Sequence, residues 1–178
     1  QSFTVTAGQN TALSVSDTPT NDPVRISINK VDSETGDKVQ GGASLENAEF
    51  TVKYYAGYYN AGNLPANATR TWVIKTLKTA GGNYMAALNN TCKVSGDDFY
   101  KVSNGTVVLP LGTISIEETK APEGYNLDGA YLQVGGVGEK ITGKYVAQIT
   151  QNGNLAQLKG GNTFKVSDKI KRGDFKLT

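Results

Sequence analysis

Three ionisable side chains stand at equivalent places in three strand-like stretches, and together they hold the parts needed to make an amide. In RISINK, Ile26 and Ile28 share a face with Lys30; in TISIEET, Ile114 and Ile116 share one with Glu118; in FKVSD, Phe164 and Val166 share one with Asp168. Side chains two apart on a strand point the same way, so each strand turns one charge towards the side its apolar residues mark as core. A lone buried charge is very costly, and three on three strands, one amine and two acids, are therefore expected to meet. Burial favours the neutral amine, a nucleophile, and the neutral acid, an electrophile. The expected reaction is attack of Lys30 Nζ on Asp168 Cγ with loss of water, while Glu118 passes protons and hydrogen-bonds the developing oxyanion. Each molecule would react once, on itself, which is not enzyme turnover. On the residues alone, a Lys30–Asp168 salt bridge at the end of a sandwich, with Glu118 solvated nearby, explains the same pattern and is the simpler reading.

The elements that must position these groups are strands. Alternation and turn residues place them near 24–31, 48–55, 70–76, 106–109, 113–119, 144–150, 154–158 and 163–168, with Asn152-Gly153 as a tight hairpin turn. A short helix is expected around 95–101, capped by Ser95. Twenty-one glycines, nine tyrosines and no sustained helical periodicity point to an all-β chain. Residues 13–28 and 164–177 share an apolar-x-Val-Ser-Asp opening, a polar link and an alternating strand, with Asp17 and Asp168 spaced 151 residues apart. That spacing has the look of a tandem array. Residues 1–19 then read as the last hairpin of a preceding module, 20–170 as one complete sandwich, and 171–178 as a linker opening a following module.

Composition removes several function classes. There is no histidine and only one cysteine, Cys92, which excludes a Ser–His or Cys–His nucleophile, an internal disulfide and a CxxC metal site. A net charge of +2 with scattered lysines gives no footprint for nucleic acid or an anionic membrane surface. No apolar run is long enough to span a bilayer. No metal or cofactor is expected.

The string Lys30-Val31-Asp32, Thr35-Gly36, Gly42-Ala43 and Ala48-x-Phe50-x-Val52, followed by ETKAPEGY from Glu118 to Tyr125, resembles Cna protein B-type domains. These are the SpaA-type, prealbumin-like domains of Gram-positive pilins and adhesins. The resemblance covers about 24–168, with 56–105 standing as an insertion relative to the smallest members. It implies an immunoglobulin-like or prealbumin-like β-sandwich with an inserted loop region. It also implies a bond-forming lysine at Lys30, a catalytic acid at Glu118 and an acceptor at Asp168, with Asn162 as the fallback acceptor. The function expected on this basis is a monomeric stalk module on a Gram-positive, cell-wall-anchored surface protein, its partners the neighbouring modules of its own chain. The alternative is a ligand-binding adhesin module that recognises host glycan or matrix protein through the insertion, with Tyr58, Tyr59 and Trp72 as candidate contacts beside Tyr54 and Tyr55.

Weaker signals read plainly. Arg172-Gly173-Asp174 spells an integrin-type tripeptide but sits in a linker, where glycine is ordinary. The oxygen-rich run from Asp32 to Asp37 fails the spacing of a calcium loop and is expected to be a turn.

Overall fold

A computed structural model describes residues 26–36, 38–134, 139–150 and 163–173 of the chain. Its elements are β1 (Ser27–Asp32), β2 (Glu49–Tyr55), β3 (Arg70–Lys75), β4 (Leu77–Lys78), β5 (Tyr84–Ala87), β6 (Lys93–Gly96), β7 (Gly112–Lys120), β8 (Tyr125–Val134), β9 (Glu139–Thr142), β10 (Tyr145–Ile149) and β11 (Thr163–Ile170), with one 3-10 turn at Ala61–Asn63. They make two sheets, one in the order β4-β5-β1-β11-β8-β9 and the other β10-β7-β2-β3-β6. The first and last of the described strands, β1 and β11, lie side by side and parallel, while the other described pairings are antiparallel. The fold is the all-β sandwich expected from the sequence.

Period-two alternation explains which faces meet. Ile28 on β1, Phe50 and Val52 on β2, Trp72 and Ile74 on β3, Ala86 on β5, Ile114 and Ile116 on β7, and Ala147 and Ile149 on β10 are all buried in one core between the sheets. Leu45, Tyr84 and Tyr125 form a second, smaller cluster. The stretch 56–105 is woven into both sheets: it supplies β3 and β6 to one and β4 and β5 to the other.

Several expectations are corrected. The helix near 95–101 is absent, because β6 runs to Gly96 and the chain then docks on β3: Thr71 N donates to Asp97 Oδ2, and Phe99 stacks on Trp72 at 5.6 Å between centroids. Long-range pairing here overrides a local capping signal. The strand expected at 106–109 reduces to a single bridge between Lys101 and Val107, ahead of Pro110. Strands at Tyr84–Ala87, Lys93–Gly96, Tyr125–Val134 and Glu139–Thr142 were not foreseen. The Asn152-Gly153 turn, the strand at 154–158, and the segments 1–19 and 174–178 lie outside the described residues.

Gly96 carries the close approach of β6 to β3. Its φ is +106°, and a Cβ there would collide with Thr71 O and come within 2.8 Å of Trp72 Cα. Gly96→Ala is therefore expected to destabilise the chain by at least about 2 kcal/mol, read as a lower urea midpoint.

Candidate functional site

Lys30, Asp168 and Glu118 meet inside the sandwich. The parallel register sets Lys30 beside Val166 and Asp32 beside Asp168. Lys30 thus reaches one step forward and across to the acid on the neighbouring strand. Asp168 sits where the pairing of β11 with β8 is interrupted, between Ser167 and Lys169, an irregularity of the kind that re-aims a side chain. Glu118 comes from the facing sheet, where it continues the inward row of Ile114 and Ile116 on β7. Lys30 Nζ donates to Glu118 Oε2 at 2.9 Å and lies 2.9 Å from Asp168 Oδ2. The three side chains are 0%, 4% and 0% exposed for Lys30, Glu118 and Asp168.

The electrostatics of the cluster are unbalanced. The Lys30–Asp168 contact has the distance of an ion pair but lacks the direction of a hydrogen bond. Both Asp168 oxygens and Glu118 Oε1 are buried with no backbone amide or neutral side-chain donor on them. Burial pushes the Glu118 carboxyl up to about 8, with the neighbouring Asp168 adding to the rise and the Lys30 ammonium opposing it. Glu118 therefore holds a proton at neutral pH. One amine and one carboxylic proton leave these buried carboxyl oxygens under-supplied with donors, and such a cluster is costly as long as it stays charged. Condensation of the amine with Asp168 would remove both charges at once.

A second buried acid lies beside the first, and the sequence reading missed it. Asp32 is 1% exposed, and its carboxylate accepts from Glu34 N at 2.8 Å, Thr35 N at 3.0 Å, Gln40 Nε2 at 3.1 Å and Tyr125 Oη at 2.9 Å. Burial pushes this carboxyl up, but the four donors outweigh it and hold it below the usual value. Lys30 makes no ion pair with Asp32 within 4.0 Å. The signal was available, because position 32 shares the face of position 30.

The other candidates are not brought together. Asn162 lies outside the described residues. Trp72 is fully buried, Tyr54 and Tyr55 are buried, and Tyr59 is half-buried, edge-on to Tyr55 at 6.3 Å. Tyr58 alone of that set is well exposed, at 55%. Trp72, Tyr54 and Tyr55 thus pack in the core, and Tyr58 is left on the surface. Arg172 of the integrin-type tripeptide is held in an ion pair by Glu34. Among the described residues no cluster of three or more metal-ligating side chains exists.

The model of a SpaA prealbumin-like fold domain matches residues 24–163, so Asp168 lies just beyond the matched region. Among solved structures, the crystal structure of the pilus adhesin SpaC from Lactobacillus rhamnosus GG, in its open conformation, is similar at 18% identity with a TM-score of 0.39; the match covers 88% of this chain and 16% of that one. The chain thus spans a small part of that adhesin's length. No curated protein matches.

Proposed function

Because this chain belongs to the family of SpaA prealbumin-like fold domains, we propose that it is a stalk module of a pilin- or adhesin-type protein on a Gram-positive cell surface, locked by an amide between Lys30 and Asp168. The observation that carries the reading is the burial of one amine and two carboxyls within 2.9 Å contacts, each delivered by a different strand. Its partners are the adjoining modules of its own chain, and the module acts as a monomer.

The reaction balances without a cofactor. Lys30 enters as the ammonium, Asp168 as the carboxylate and Glu118 as the acid. As Lys30 passes a proton into the carboxyl pair, its lone pair attacks Asp168 Cγ to give a tetrahedral centre. Glu118 hydrogen-bonds the developing oxyanion and delivers a proton to the departing oxygen. That oxygen leaves as water with two protons that began on nitrogen, and Glu118 ends as it started. The C–N bond forms, one C–O bond breaks, and two buried charges vanish. No second substrate enters, so the event is a single turnover on the chain itself.

Intact mass tests this directly. The wild-type chain is expected to be lighter than its sequence by one water, and Lys30→Ala and Glu118→Ala variants to have full mass. A deficit of one ammonia would transfer the acceptor role to an asparagine, Asn162 first. Full mass for the wild type would overturn the crosslink.

A further inference from the structure

Lys30 has two buried aspartates near its place in the sheet, and it meets only one of them. Asp32 follows it by two residues on β1, and Asp168 stands opposite Asp32 on β11. Both are buried and on the inward face. They differ in their company. Asp32 accepts from two backbone amides, from Gln40 and from Tyr125, whereas Asp168 has no backbone amide or neutral side-chain amide or hydroxyl on either oxygen and faces only Lys30 and the Glu118 carboxyl. We infer that Tyr125 and Gln40 are positioning residues for the crosslink: by saturating Asp32 they keep it off the Lys30 ammonium and leave Asp168 as the group the amine meets.

This rests on the crosslink reading above and adds a specificity device to it. The physical reason is competition. A carboxylate that lacks donors takes the nearest cation, and an ammonium paired with Asp32 would be held protonated and turned away from Asp168 Cγ. Four donors remove that option while Asp32 stays ionised. The donors are also well anchored. Glu34 N and Thr35 N belong to the turn closed by hydrogen bonds between Asp32 and Gly36, and Tyr125 opens β8, paired with Ile170 beyond the acceptor. Ser33 N, one residue past Asp32, donates to Asp168 O at 2.9 Å, which fixes the two acids relative to each other at the backbone. The same turn thus restrains one aspartate and places the other.

The test follows amide formation in full-length chain made by cell-free synthesis, quenched in denaturant at intervals and read by intact mass, with the crosslinked peptides mapped. Tyr125→Phe and Gln40→Ala are each made with Asp32 intact and in the Asp32→Asn background. Asp32→Asn alone is expected to form the Lys30–Asp168 bond no slower than wild type. With Asp32 intact, Tyr125→Phe is expected to slow the reaction about tenfold, the worth of one hydrogen bond to a charged group, and Gln40→Ala in the same direction. In the Asp32→Asn background both substitutions should leave the rate within about twofold of Asp32→Asn alone, since no competing charge remains. A Lys30–Asp32 product in Tyr125→Phe would further support the device. Equal slowing in both backgrounds would make Tyr125 a merely structural residue and overturn the inference while leaving the crosslink intact, as would loss of the bond in Asp32→Asn. If Tyr125→Phe fails to fold, Gln40→Ala carries the same comparison. A wild-type chain that never loses water overturns the crosslink and this inference together.

Discussion

Glu118→Gln, which keeps the fold but blocks the amide, is expected to unfold about 5 kcal/mol more easily than the wild-type chain, a drop of roughly 10–20 °C in melting temperature. The proposed crosslink would close a loop of 138 residues between Lys30 and Asp168, and restricting the unfolded chain over that span supplies the figure. Glutamine has the shape of glutamate but no carboxylic proton to deliver. It leaves Lys30 and Asp168 as a one-to-one ion pair, so the difference reports the missing bond rather than an orphaned charge. The mechanical consequence is larger. The chain enters at the start of β1 and leaves at the end of β11, and these strands are parallel neighbours. Tension applied to the ends therefore shears their hydrogen-bonded ladder. With the amide in place, load passes from Lys30 to Asp168 through covalent bonds, and the residues between carry none. In single-molecule pulling, Glu118→Gln is expected to release roughly 460–500 Å of chain, at about 3.3–3.6 Å per residue, and the wild type none of it. Equal melting temperatures and equal extensions would sink the load-bearing role.

How far the sequence revealed this site depends on the range of the physics involved. The inward placement of Lys30, Glu118 and Asp168 is a period-two property of three short stretches, readable without knowing which strands pair. That β1 lies beside β11, in a register setting Asp32 opposite Asp168, is a long-range fact with no local trace. The same limit explains the misses. Ser95 and the acids after it look like a helix start, but the backbone of β3 and the ring of Trp72 claim Asp97 and Phe99. The strand at Tyr84–Ala87 contains two alanines, poor strand formers, and exists because it pairs with β1. Tyr125–Val134 was hidden by Asp128 and Gly129, turn residues that lie where the pairing of β8 with β11 is interrupted, and by Asn126 at its edge, paired with Lys169. Tyr125 was noticed as the end of the ETKAPEGY string, yet its hydroxyl's partner, Asp32, is 93 residues away. The burial of Trp72, by contrast, was legible, because an alternating strand buries every second residue and Trp72 is in phase with Ile74.

The rate of amide formation is expected to be level in weakly acidic to neutral solution and to fall about tenfold per pH unit above about 8, once the acid that must deliver a proton has lost it. The sign follows from the direction of the shift. Burial raises Glu118 from 4.5 to about 8, so the folded, unbonded chain keeps this proton where an unfolded chain would release it. Glu118's contribution to the stability of that precursor is complete below 4.5 and is lost as pH rises through about 8. Glu118's proton is the one delivered to the departing oxygen. Removing it adds a negative charge to the core and leaves no acid to protonate that oxygen. Because the three groups are in contact, the titration belongs to the cluster, and the kinetic midpoint reports it as a unit. Newly synthesised chain, folded at a series of pH values and quenched for mass, gives the profile. A rate that climbs steadily through pH 8 and beyond would mean that freeing the amine is all that limits the reaction, and Glu118 would then be a neighbour of the chemistry, with no part in moving its protons.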